Sequence, residues 1–232
     1  MNCSEPFGSD PFDEGGLKKD YKVVEIIGRG AFGTVYKCLR LIDGIHIAIK
    51  VFRKYDESKR NNNSFLRQEY ELLSRLQGPN IVRLLSYHEN HTFIYLFLEY
   101  CEGGDLLQTL QRHQLATGRA FDERQAGVII RGVLKGLYLL HYNHKVIHRD
   151  IKPGNILIRR KELELTEDDV CIADFGLSVS LMNSHTTRAT VICGTQIYQA
   201  PEILKKEPYD TVVLYSLRVS TCSRSPSLHL SC

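Results

Sequence analysis

The chain has 232 residues, 43% hydrophobic and 25% charged, a balance that excludes wholesale disorder and fibrous classes. Thirty Lys and Arg against 27 Asp and Glu leave a net charge of +3, too even a balance for a nucleic-acid binder. The longest apolar run, residues 93–98, is far shorter than a membrane span, so no membrane insertion is expected. Residues 1–20 are acidic and lack the basic start and apolar segment of a secretory signal, and Asn2 excludes the N-myristoylation pattern. The seven Cys are scattered without C-x-x-C spacing, which argues against a disulfide framework or a zinc site. The expected location is the cytoplasm, with or without the nucleus.

Residues 1–20 read as a flexible acidic tail. Val23, Val24, Ile26 and Ile27 then form a β-rich run that ends in a glycine cluster, and Thr34, Val35 and Tyr36 resume it. Residues 45–52 alternate around Lys50 as another strand, with Asp43-Gly44 as the turn before it. Residues 64–76 read as a helix with Phe65, Leu72, Leu73 and Leu76 on one face, stopped by Gly78-Pro79. Strands are expected at 81–87 and 92–100. After Gly103-Gly104 the pattern turns helical. Asp122 is a candidate N-cap, and Ile130, Val133, Leu134, Leu137 and Leu140 fall at core-facing spacing. A loop-rich region follows, with short strands at 156–158 and 170–173. The charged segment 159–169 between them reads as a solvated excursion, and the Ser-rich end of the chain as a disordered tail.

The residues that carry chemistry are spread along this order. Gly28-Arg29-Gly30-Ala31-Phe32-Gly33 has the spacing that lets backbone amides approach phosphates. A strand-like segment follows it where a dinucleotide fold needs a helix, which excludes a dinucleotide oxidoreductase. The loop therefore joins two antiparallel strands as a flap. Lys50, in Ala48-Ile49-Lys50, is a charge inside an apolar strand and needs a partner, with Glu69 the first choice and Glu71 the second. His148-Arg149-Asp150-Ile151-Lys152-Pro153-Gly154-Asn155 gathers a carboxylate that can accept a hydroxyl proton, an ammonium that can neutralise phosphoryl charge and an amide that can ligate a divalent metal. Asp174, in Ala173-Asp174-Phe175-Gly176, suits a metal ligand at a strand end. Gly194-Thr195 and Ala200-Pro201-Glu202 close the series.

In order and separation these elements resemble the eukaryotic-type Ser/Thr protein kinases, over residues 21–209. The resemblance implies an α+β, two-lobe fold. The N-lobe (21–100) would be an antiparallel sheet with one helix, and the C-lobe (101–212) mostly helical and incomplete after the activation segment. It implies ATP and Mg2+ as cofactors, a protein substrate and an upstream activating kinase as partners. The catalytic set would be Asp150, Lys50, Lys152 and Glu69, and the metal ligands Asn155 and Asp174. The nucleotide would contact Ile27, Gly28, Arg29, Gly30, Ala31, Phe32, Gly33, Thr34, Val35, Ala48, Lys50 and Leu157. Backbone groups of Glu99 and Cys101 would take adenine, and Asp105 would reach the ribose. Lys152 and Thr195 resemble the Ser/Thr-type loop and substrate platform. Leu73, Leu84, His148 and Phe175 align with the stacked apolar spine between lobes. Arg149 would dock a phosphorylated activation loop, with Ser184, Thr186, Thr187 and Thr190 as candidates and Thr190 favoured. The subfamily resemblance is faint, to autophagy-initiating and calcium/calmodulin-type kinases.

The resemblance breaks after Tyr209-Asp210. Val213 stands where the family has Asp, and Arg218 where it has Gly. Residues 213–232 therefore read as an aberrant Ser-rich tail and the chain as C-terminally truncated, which would leave Ile130, Leu134 and Leu137 without cover. The alternative function on this reading is a catalytically impaired, nucleotide-binding interaction or decoy protein.

Overall fold

Alternating and wholly apolar β-formers in the first half make a five-stranded antiparallel sheet. Its strands are β1 (Tyr21–Gly30), β2 (Gly33–Arg40), β3 (His46–Arg53), β4 (Leu84–Glu89) and β5 (Phe93–Glu99), in the order β1-β2-β3-β5-β4. This computed structural model describes residues 10–30, 33–54, 61–162, 164–181, 193–199 and 204–205, and of 61–66 the backbone only. Gly30 pairs with Gly33 across the β1–β2 hairpin, so the glycine segment joins two strands as expected. Ala31 and Phe32, the activation-loop hydroxyls at 184–190 and the tail after residue 205 lie outside the described residues. One helix, α2 (Asn61–Arg75), crosses the sheet; Glu69, Leu72, Leu73 and, just past its end, Leu76 are buried, on one stripe at i, i+3, i+4 and i+7.

The sheet buries both faces. The α2 side joins a core that runs from Phe52, Leu72, Leu73 and Leu96 into the second half at Leu137, Leu140, Ile156, Ile172 and Phe175. The other face carries Tyr36, Cys38, Ile49, Val51, Phe93, Tyr95 and Phe97 under Phe12 and Leu17. The expectation of a flexible tail over 1–20 therefore needs correction for residues 10–20. Asp10 caps a one-turn helix, α1 (Pro11–Glu14), by accepting from the Phe12 N–H at 2.9 Å. Phe12 is 1% exposed, with its ring edge-on to Tyr36 at 5.1 Å, and the Tyr95 hydroxyl donates to the Pro11 carbonyl at 2.6 Å. Burying two large apolar side chains holds the segment down despite its acidic composition.

The second half is helix followed by short strands. A two-residue strand β6 (Gly104–Asp105) leads into α3 (Leu106–Thr117), where the Asp105 carboxylate caps the Gln108 N–H at 2.9 Å. Asp122 caps α4 (Glu123–Tyr138) as expected, accepting from Gln125 N at 2.7 Å. The buried face of α4 matches the prediction in part: Leu137 and, past the helix end, Leu140 are buried and Val133 packs on the same core. Ile129, Gly132, Gly136 and Leu137 are buried, while Ile130 and Leu134 are 48% and 41% exposed. The exposure of Ile130 and Leu134 is what the break in the resemblance implies, whereas Leu137, expected to lack cover as well, is 2% exposed. A Cβ on Gly136 would lie 2.7 Å from the Asn80 carbonyl oxygen, so the helix approaches its neighbours along the glycine stripe.

After α4 come β7 (Val146–Ile147), β8 (Ile156–Ile158), β9 (Val170–Ile172) and β10 (Val179–Ser180). They form a β6-β8-β9 sheet and a β7-β10 pair. These strands clamp two loops at both ends: 148–155 between β7 and β8, and 173–178 between β9 and β10. The strand expected at 81–87 begins only at Leu84, because Ile81 and Val82 pair with Ile172 of β9 instead. Nor is 159–169 wholly solvated. Leu165 and Asp169 are buried, Asp169 closes a capping box with Thr166 and pairs with Arg160, and Arg159 pairs with Glu99 at 2.9 Å. Glu167 in turn pairs with Arg131 and Lys135 of α4, so several of the segment's charges are tied to the fold by partners that its own composition does not show. Among the described residues no helix is long and apolar enough to cross a membrane.

Candidate active site

Strand register puts the glycine segment and Lys50 side by side. Gly28 faces Val35, and Val35 faces Lys50. Lys50 projects from the α2 side of β3, and its ammonium sits 2.8 Å from Glu69 and 2.8 Å from Asp174. Glu69, not Glu71, is the partner. Burial pulls the Lys50 ammonium down, but the two carboxylates outweigh it and leave the lysine above its ordinary value. Burial leaves the Glu69 carboxyl above its own range despite Lys50. Asp174 is held low chiefly by the Lys50 charge, so it is ionised at neutral pH.

The 148–155 loop turns on itself around Asp150. Its Oδ1 accepts from the Thr195 hydroxyl at 2.8 Å and the Thr195 N–H at 2.8 Å. Its Oδ2 lies 2.8 Å from the Lys152 ammonium and accepts from the Asn155 amide at 2.9 Å. Burial pushes the carboxyl up, and these bonds, led by Lys152 and Thr195, bring it below its ordinary value. Lys152 also donates to the Thr195 hydroxyl at 3.0 Å. The Asn155 side-chain nitrogen is committed to Asp150, which leaves the side-chain oxygen Oδ1 to meet a cation.

Three contacts join this loop to the Asp174 segment. The Ala173 N–H donates to the Asn155 carbonyl at 2.9 Å, His148 Nε2 donates to the Ala173 carbonyl at 2.9 Å, and the His148 ring meets Phe175 edge-on at 5.0 Å. Lys50, Asp150, Asn155 and Asp174 thus belong to one connected cleft. Arg149 and Asp174 both hold positive φ, 68° and 63°, a conformation that costs a non-glycine residue about 1–3 kcal/mol. Arg149 Nε donates to the Leu177 carbonyl, which helps to fix its loop.

The remaining predicted residues that the structure describes differ in burial. Thr34 and Ala48 are buried, Val35 and Leu157 half-buried and Ile27 40% exposed. Leu157 pairs with Asp105 on one side and Cys171 on the other. The Cys101 sulfur lies 3.7 Å from that of Cys171, and the Asp105 carboxylate commits one oxygen to capping α3. The Glu99 carboxylate turns to the rear, onto Arg159 and the Arg83 N–H, and its own N–H donates to the Arg83 carbonyl at 3.0 Å. That rear side holds a groove of about 830 Å3 between α2 and β4, floored by Glu99 and Arg159 and separate from the chemistry. Leu73, His148 and Phe175 are buried and Leu84 packs on the same core.

Sequence reasoning missed Asn80, whose amide donates to the Glu167 and Val170 carbonyls at 2.6 and 2.8 Å. It also missed the charged group around Glu89 that flanks α2. A polar residue after Gly78-Pro79 and a second lysine four residues beyond Lys50, just past β3, were the available signals.

Comparison with known proteins agrees with this geometry. The model of the protein kinase domain matches residues 21–221. Mouse Aurora kinase C is 37% identical over 194 residues, 84% of this chain and 65% of that protein. The Arabidopsis thaliana serine/threonine-protein kinase TIO is 37% identical over 202 residues, 87% of this chain and 14% of its own length. Arabidopsis thaliana serine/threonine-protein kinase ATG1c is 36% identical over 194 residues, 82% of this chain and 24% of its length. The chain spans less than two thirds of these relatives, and so level a set of identities singles out no subfamily. With a kinase-domain match over most of its length and a cleft built from the motifs that match rests on, the chain belongs to the protein kinase family.

Proposed function

We propose that the chain transfers the γ-phosphoryl group of ATP to Ser or Thr hydroxyls of proteins. The observation that carries this reading is the setting of Asp150. Its carboxylate already accepts one hydroxyl at 2.8 Å, from Thr195, beside the Lys152 ammonium at 2.8 Å. A substrate hydroxyl presented at the same carboxylate would be oriented for attack and would lose its proton to Asp150. Lys152 would offset negative charge as it develops on the transferring group, and Lys50, steadied by Glu69, would hold the nucleotide's phosphates. The Lys152–Thr195 contact supports Ser/Thr over Tyr substrates, since it occupies space beside Asp150 that a longer phenol would need.

A divalent cation fits the donors present. Asp174 offers an ionised carboxylate and Asn155 an amide oxygen, a sparse oxygen set of the kind that Mg2+ completes with water and phosphate. Such a cation, when bound, neutralises charge on the phosphates. The test is transfer from γ-labelled ATP to Ser-, Thr- and Tyr-containing peptides, with Asp150→Asn alongside. Label on Ser and Thr peptides that falls at least about 100-fold in Asp150→Asn is expected. Equal label from both chains would overturn the proposal and leave only a nucleotide-binding or decoy role.

A further inference from the structure

The Lys50–Glu69 pair forms only if α2 keeps its place and its rotation over the sheet. The buried stripe of Leu72, Leu73 and Leu76 holds the helix down but does not by itself stop it from rolling. A second ionic tether does. Lys50 and Phe52 share one face of β3 by strand alternation, and Lys54 is the residue just past its end. Lys54 pairs with Glu89, the last residue of β4, at 2.5 Å, and the same Glu89 oxygen accepts from Arg67 of α2 at 2.9 Å. Lys54 also donates to the Asn90 carbonyl at 2.5 Å. The Tyr87 hydroxyl donates to the other Glu89 oxygen, and the Tyr87 ring stacks on Tyr70 of α2 with centroids 4.0 Å apart.

Arg67 and Glu69 are two residues apart and so point about 200° apart around the helix. One tether therefore pulls α2 from the cleft side and the other from the β4 side, and both run back to β3. Glu89 is 22% exposed. Burial pushes its carboxyl up, yet hydrogen bonds from Lys54, Tyr87 and Arg67 outweigh that and bring it down to about 2. An anion in β4 that meets donors from α2 and from the end of β3, braced by Tyr87 of its own strand, fixes the three relative to one another.

We infer that Glu89 is a positioning residue for phosphoryl transfer: it ties α2 to β3 and β4 and thereby sets the Glu69 carboxylate against Lys50. This rests on the function proposed above, and its test separates the two. In Glu89→Ala, amide exchange over 67–75 should speed about tenfold relative to β1 and α4, a readout that needs no activity. The kcat should fall about tenfold with KM for ATP within about twofold. In a Glu69→Gln background the same change should cost nothing further, because both act through one contact. Glu89→Gln, which keeps the Tyr87 bond but removes the charge, should fall between. Unchanged exchange over 67–75, or an equal loss of kcat with and without Glu69, would overturn the inference. If the unaltered chain transfers no phosphate, the kinase reading fails and the exchange comparison still decides the role of Glu89.

Discussion

His148 shows how one side chain sets the state of the cleft. Its Nε2–H donates to Ala173 O, and its Nδ1 accepts from the Asp150 N–H at 3.3 Å. The second bond requires the neutral ring, since a proton on Nδ1 would face the Asp150 N–H. Burial lowers its pKa accordingly. His141 is likewise lowered to about 4, by burial first and then by His148. The unfolded chain binds these protons below pH ~6.5 and the native chain does not, so stability falls as pH drops from ~6.5 towards 4. Carboxylates held low, such as Asp150, Asp174 and Glu89, add to the loss only below pH ~4.5, where the unfolded chain protonates them. Melting temperature should therefore decline between pH 7 and 5.5, and less steeply in His141→Asn. A flat profile in the unaltered chain would contradict this. Gly194 is the second residue-scale case. Its φ is +96°, and a Cβ there would lie 2.2 Å from the Arg149 carbonyl oxygen and 3.4 Å from Asp150 Oδ1. Gly194→Ala should lower kcat about tenfold or more by displacing the Asp150 loop, with a much smaller change in melting temperature. Unchanged kinetics would refute the close approach.

At the scale of elements, what was legible depended on whether a pattern has one physical cause. The glycine hairpin, β3, α2 and the Asp122 cap follow from local turn chemistry and periodicity, and the structure has them where expected. The strap at residues 10–20 does not, because its signal lies elsewhere. Strand β5 reads Phe-Ile-Tyr-Leu-Phe-Leu without alternation, the mark of a strand covered on both faces, and α2 can cover only one. In α4, Leu137 and Leu140 were legible from apolar spacing, whereas the close approach at Gly132 and Gly136 was not, because a glycine carries no apolar signal. The strap carries its own prediction. Phe12→Ala should destabilise the chain by about 2–4 kcal/mol, capped by undocking of the strap, and lower its melting temperature. A change within about 0.5 kcal/mol would show that the strap contributes nothing to the sheet.

At the scale of the whole molecule, one apolar cluster runs from α2 through Phe175 into α4 and β8–β9, so the two halves of the site share a core. The motif residues of the site were legible because charge inside apolar strands and clusters of chemically active groups within short loops need a chemical reason. Their supports were not, because Lys54, Glu89, Arg67 and Asn80 are ordinary residues until the fold brings them together. The central claim is that Lys50, Asp150, Asn155 and Asp174 act together in one cleft. Double-variant kinetics test it most directly: Lys50→Met, Asp174→Asn and Asp150→Asn singly and in pairs, by phosphoryl transfer from ATP. Groups that act as a unit lose little more in pairs than in the worst single, so each pair should fall within about fivefold of its weaker member. Losses that multiply in every pair would place the residues in independent roles and contradict the account.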